Sequence, residues 1–173
     1  MYEEARRQWP QCSMALNWDY NEPWMTAAGN NLITYPAKPK PAYNAVRESC
    51  RQQMASAKVE KFDYVHGEIF ATEELFILND LPQFIEPLIV KATLTSDTRT
   101  YDLGIWHTQE TPASTHQAQK TVFTITLNEP ENTFLHLTLH VENHPAMDTT
   151  YVFLCKNKNS TKNVSIQSLY KKR

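Results

Sequence analysis

Between Thr133 and Asn143 the chain reads TFLHLTLHVEN, with Leu135, Leu137, Leu139 and Val141 in one phase and His136, Thr138, His140 and Glu142 in the other. Side chains of an extended chain alternate between two faces, so this order suits a strand that buries one face and wets the other. Phe123, Ile125 and Leu127 repeat the device against Thr124 and Thr126. A single strand of this kind cannot stand alone, because its apolar face must be covered by another layer. Further short apolar runs bounded by turn signals supply that layer: VEKFDYV, ELFILND, EPLIVKATLTS, TYDLGIWHT, KTVFTITLN and TYVFLCKN.

About seven strands in roughly a hundred residues predict a mainly β chain built on an immunoglobulin-like antiparallel β-sandwich, placed at residues 56–156. Residues 1–55 differ in kind. Aromatic residues, alanines and prolines crowd them, and the patterns suggest a helical turn in YEEARRQW, a strand in MALNWDY, and a helix over PAYNAVRESCRQQMASA. Pro41 suits the first turn of that helix, where its missing N–H costs nothing. Ala42, Ala45, Val46 and Cys50 form its apolar stripe. A helix–strand–loop–helix order is what is cut from a repeating α/β unit, and it cannot close a sheet alone. Residues 157–173 follow as a basic extension with a weak strand pattern in VSIQSLY, expected to lie on the surface.

Charge narrows the partners. Lys plus Arg is 17 and Asp plus Glu is 19, a net charge of −2 in 173 residues, which leaves no electrostatic footprint for nucleic acid or anionic lipid. No stretch approaches the roughly 18 continuous apolar residues of a membrane helix, so no membrane partner is expected. Three glycines cannot build a phosphate-cradling loop, and no cofactor is expected. Cys12, Cys50 and Cys155 have no CxxC spacing and read as isolated thiols rather than a disulfide framework or zinc site.

Several residues invite a chemical reading. Asp19 and Glu22 could be a hydrolytic carboxylate pair, but three apart on a continuing strand they face opposite sides, and a loop cap and a salt bridge are the expected roles. Trp18 and Trp24, with Trp9 upstream, could stack on sugar rings while Asn and Asp bond the hydroxyls; the bland alternative is that they are core. His136 and His140 would sit roughly 13 Å apart on one strand face, too far to share a metal ion. No metal site and no serine nucleophile is expected.

SMALNWDYNEPW, followed by NNLITYPAKPKPAYNAVRESCR, resembles the last strand and last helix of the catalytic barrel of family 2 glycoside hydrolases. The matching residues are Trp18, Asn21, Glu22, Pro23 and Trp24, then Lys40, Pro41, Tyr43, Ala45, Val46 and Arg47. ELFILND is similar to a strand near the start of the immunoglobulin-like domain that follows the barrel in β-mannosidase-like and exo-glucosaminidase-like members. The resemblance implies that 1–55 closes a (β/α)8 barrel and that Trp18 lines a sugar subsite, with Asn21, Glu22 and Trp24 at its rim. It implies a retaining β-glycosidase acting on β-linked carbohydrate through two glutamates on earlier strands. Catalytic residues within this chain would then be none, the fragment inactive by itself, and its partner the rest of the glycosidase. Met1 falls within the implied barrel helix, so the chain is expected to be part of a longer protein. A homodimer through the uncovered helix stripe is a further expectation. The alternative is a carbohydrate-binding or structural sandwich module with Trp106 and Tyr101 as an exposed platform.

Overall fold

The computed structural model describes residues 1–26, 29–119 and 123–156. Two helices, α1 (Tyr2–Arg7) and α2 (Pro41–Ser49), flank a small ribbon of β1 (Ile33–Thr34) and β2 (Lys38–Pro39). Nine further strands follow: β3 (Gln53–Val59), β4 (Asp63–Val65), β5 (Ile69–Asn79), β6 (Ile89–Thr95), β7 (Thr100–His107), β8 (Thr115–Gln119), β9 (Thr124–Thr126), β10 (Thr133–Val141) and β11 (Thr149–Lys156). The chain is mainly β.

One sheet has the order β4-β11-β10-β6-β7, antiparallel except where β4 runs parallel to β11. The other has β3-β5-β8, with β9 also paired to β5. Both sheets fill one core: Ala55, Phe70, Leu75 and Ile77 come from the second sheet, and Val90, Trp106, Leu137 and Phe153 from the first. β10 obeys its alternation, since Leu135, Leu137, Leu139 and Val141 are fully buried while His136 and His140 are exposed. At one end, Phe70 and Phe153 meet edge-on with ring centres 5.2 Å apart, a favoured aromatic geometry.

Trp106 overturns the platform expected of it. It is 1% exposed and packs in the core. The cause is a bulge: Ala92 pairs with Gly104 but Thr93 pairs with Asp102, so Leu103 is an extra residue on β7 and the inward phase changes from Tyr101 and Leu103 to Trp106. One inserted residue moves every later side chain to the other face. Gly104 carries the kink at φ +133°, and a methyl there would press on the Phe123 ring.

The helix expected over 41–57 stops at Ser49, and β3 begins at Gln53, across the expected boundary at residue 55. Met54, Ala55, Ser56 and Ala57 are all buried. Ala55 and Ala57 point into the shared core, whereas Met54 packs with Phe76 and Leu78 on the opposite face. α1 covers that second face through polar contacts. Arg6 donates to the Ser49 carbonyl at 2.8 Å and reaches Asp80 at 2.9 Å, and the Arg7 guanidinium lies over the Phe76 ring. Glu3 Oε2 accepts from Tyr151 Oη at 2.5 Å and from Ser56 Oγ at 2.7 Å, while Tyr151 Oη accepts from the Ala57 N–H. Arg51, just past α2, donates to the carbonyls of Ala146 and Asp148, both at 2.7 Å, and to Thr149 Oγ1.

Tyr151→Phe takes the acceptor from Ala57 N–H and a donor from Glu3 without changing shape. Leaving such groups unpaired costs roughly 1–3 kcal/mol, so the denaturant midpoint is expected to fall while the slope is kept. The expected surface extension, 157–173, and Lys120 to Val122 of the KTVFTITLN run lie outside the described residues.

Candidate functional site

After α1 the chain makes one more turn, with Cys12 N–H donating to the Gln8 carbonyl at 3.0 Å, and then straightens. Residues 13–19 form no backbone–backbone hydrogen bond with any described residue. Their side chains face water: Met14, Leu16 and Trp18 are 69%, 79% and 83% exposed. The strand expected in MALNWDY is therefore extended but has no sheet beside it. α2 has no buried residue, and Ala42, Ala45 and Cys50 of its stripe are exposed.

Pairing resumes at Tyr20, whose carbonyl accepts from Leu32 and Ile33, and Asn21 bridges Ile33 in parallel. This folds the loop back under Glu22, the 8%-exposed acid of the segment. Glu22 Oε2 accepts from the Tyr35 N–H at 3.0 Å and from Thr34 Oγ1 at 2.8 Å; Oε1 faces Lys40 Nζ at 3.4 Å. Lys40 is held in turn by Asn31 Oδ1 and the Gly29 carbonyl. A methyl on Gly29 would meet the Glu22 carboxylate and the Lys40 ammonium, so these flexible ends would have to shift to admit a side chain there.

The Tyr35 N–H and then the Thr34 hydroxyl hold the Glu22 carboxyl down to about 2. A carboxylate this acidic, with both oxygens engaged, is a poor proton donor or acceptor near neutrality. It ties the loop together, which is the salt-bridge role expected of it. A depressed pKa stabilises fully above the ordinary value of 4.5 and is lost as pH falls through about 2. The amide of Tyr35 is expected to lose its protection against hydrogen exchange across that window, ahead of amides in β10.

The sequence-chosen residues do not converge. Asn21 and Glu22 line a cleft of about 550 Å³ with Tyr20, Tyr35 and Pro36. Trp18 and Trp24 lie outside that lining and are 83% and 69% exposed, so neither is core. Trp9 instead borders a second groove of about 430 Å³ between α1 and residues 12–15, with Cys50, Asp80 and Ser114 along it. Tyr20, Tyr35 and Lys40 were not picked out as site residues. The aromatic and proline density of the loop, and for Lys40 its place in the matched motif, were their sequence signals, because the contacts join residues 9 to 18 positions apart.

Among the described residues no three His, Cys, Asp or Glu side chains are grouped to hold a metal ion. Within the buried layer, Glu129 is fully buried and accepts from Tyr101 Oη at 2.5 Å and Thr98 Oγ1 at 3.3 Å. Desolvation raises its pKa, but hydrogen bonds from Tyr101, Ser96 and Thr98 prevail and leave it lowered. Tyr101, the other residue of the expected platform, thus serves as a staple with its hydroxyl committed.

No protein-family model matches the sequence, and no curated protein matches it. Among solved structures, the sporulation control protein Spo0M of Bacillus subtilis is 13% identical over 68% of this chain and 56% of its own, with a TM-score of 0.39. This chain therefore spans little more than half the length of Spo0M. The superoxide reductase neelaredoxin of Ignicoccus hospitalis is 10% identical over 62% of this chain and 83% of its own, also with a TM-score of 0.39.

Proposed function

We propose that this chain is the C-terminal part of a retaining family 2 β-glycosidase: residues 1–55 close a (β/α)8 barrel, and an immunoglobulin-like domain buttresses it. The observation that carries the reading is the extended segment 13–19, which exposes apolar side chains and makes no backbone–backbone hydrogen bond with any described residue, followed by a helix with no buried side chain. A barrel strand needs a neighbour on each side and a helix laid over it, and both vacant surfaces fit that geometry. Strand order supports the second half, since the chain changes sheet after β3, β4, β5, β7 and β9, and crossings between two layers are what Greek-key connections of an immunoglobulin-like sandwich make.

In this reading the chain supplies position rather than proton transfer. Trp18, at the end of the closing strand, presents an indole face for a sugar ring. Glu22 keeps the following loop in place through Tyr35, Thr34 and Lys40. The acid and nucleophile belong to other strands, and β-linked carbohydrate is the substrate class.

The test starts with the reading frame upstream of the Met1 codon. A frame that continues through a barrel, and whose joined product hydrolyses nitrophenyl β-glycosides with retention, supports the proposal; Trp18→Ala is then expected to lower kcat/KM roughly tenfold. A frame without a barrel overturns it. The isolated chain is expected to be inert and to self-associate through its uncovered apolar surfaces. Light scattering over a dilution series should show mass falling toward the monomer.

A further inference from the structure

The turn between β1 and β2 stands against the chain at Tyr20–Pro23 and encloses the 550 Å³ cleft. Its size is within the roughly 300–1,000 Å³ usual for small-molecule sites. Two tyrosine rings border it, Tyr20 at 59% and Tyr35 at 48% exposure, with Pro23, Pro36 and Ile33 between them. This is an apolar wall made of rings.

The polar groups decide what such a wall takes. Glu22 is the cleft's carboxylate, but Tyr35 N–H, Thr34 Oγ1 and Lys40 Nζ already occupy its oxygens. With Lys40 opposite it, the charge is balanced within the protein and attracts neither a cation nor an anion. Exposed Asn21 and the two phenol hydroxyls remain to bond a ligand, and none of them is bonded to another described side chain. Flat apolar walls with neutral donors and acceptors at the edge match a pyranose, whose C–H face is apolar and whose rim is hydroxyl.

We propose that the Tyr20–Tyr35 cleft binds a neutral sugar ring of a β-linked oligosaccharide, distinct from the ring that Trp18 receives. The proposal rests on the glycosidase reading for its ligand class, and it extends that reading from a single glycoside to a chain of at least two sugars. The cleft is formed without ligand: the Asn21–Ile33 bridge and the Tyr35 N–H bond fix both walls, so little ordering opposes binding.

The test titrates the 173-residue chain, labelled with ¹⁵N, with β-1,4-linked tetrasaccharides of glucose, mannose and N-acetylglucosamine. At least one is expected to shift the amides of 20–23 and 33–37 with an affinity of about a millimolar. Tyr35→Ala retains the backbone N–H on Glu22 and is expected to weaken binding roughly tenfold, as is Tyr20→Ala. The amide spectrum of each variant reports whether it is folded, and Phe134→Ala, which removes an exposed ring on β10 away from the cleft, is expected to leave the cleft shifts unchanged. Absence of shifts with all three sugars, shifts that survive Tyr20→Ala and Tyr35→Ala, or binding of a proline-rich peptide in place of sugar overturns the proposal. None of these results decides whether a barrel lies upstream, so the two readings fail separately.

Discussion

Trp106→Ala is expected to lower the unfolding free energy by about 3–5 kcal/mol, the usual cost of deleting a large buried aromatic. Trp106 is 1% exposed and stands opposite Val90 in the core between the sheets. Domains of this size are stable by roughly 5–15 kcal/mol in total, so the variant should lose most of its margin. Urea unfolding followed by far-ultraviolet circular dichroism measures it. A loss below about 1 kcal/mol would place Trp106 on the surface and restore the platform reading.

Alkali is expected to unfold the protein as its buried tyrosines are forced to ionise. Burial pushes Tyr64 up to about 12, and burial followed by Glu3 pushes Tyr151 up further. A raised folded-state pKa means that the folded state retains the proton, so this stability is complete below the ordinary value of 10 and is lost as pH rises toward 12. Two units at Tyr64 correspond to about 3 kcal/mol, and Tyr151 adds in the same direction. As pH rises from 10 toward 12, part of the phenolate absorbance should appear in one cooperative step together with the change in circular dichroism. Separate, gradual titration of all tyrosines with the fold intact would contradict the burial of these two.

The two expected effects come from residues of contrasting legibility. β10 was plain in the sequence because one of its faces is wet and the other is buried, so each side chain declares its side. β3 was missed for the opposite reason. Its residues Met54–Ala57 are buried on both faces, which erases the alternation, and their intrinsic preference continues the helix pattern before them. Pairing of Met54 with Leu78 and Ala57 with Leu75 outweighs that preference. Trp106 was misplaced because a bulge leaves no period in the sequence, only Gly104, whose significance needs the partner strand to be seen.

At the candidate site, the motif sets Trp18, Asn21, Glu22 and Trp24 around one sugar subsite, and it gives no sign that the tryptophans lie outside the cleft that Asn21 and Glu22 line. Contact of Glu22 with Thr34, Tyr35 and Lys40 depends on a chain reversal set by the Asn21–Ile33 bridge. The arginines that fasten the front of the chain were invisible for a simpler reason. Arg6, Arg7 and Arg51 read as ordinary solvated charges until the sheet they cover is known.

The bond between Glu3 and Tyr151 spans 148 positions, and Arg51 grips residues 95 to 98 positions ahead of it. Contacts so distant in sequence form late, because much of the chain must be ordered before they can close. On the ribosome, α1 emerges first, and the Tyr151 hydroxyl that bonds its Glu3 emerges almost last. During that interval the exposed apolar residues Met14, Leu16 and Trp18 stand beside a helix whose fastening is incomplete, and the nascent front is exposed to aggregation or to a chaperone. The last strand thus adds a late fastening to a helix that Ser49, Ser56 and Asp80 already hold, and a truncation that removes β11 is expected to loosen the beginning of the molecule as well as its end.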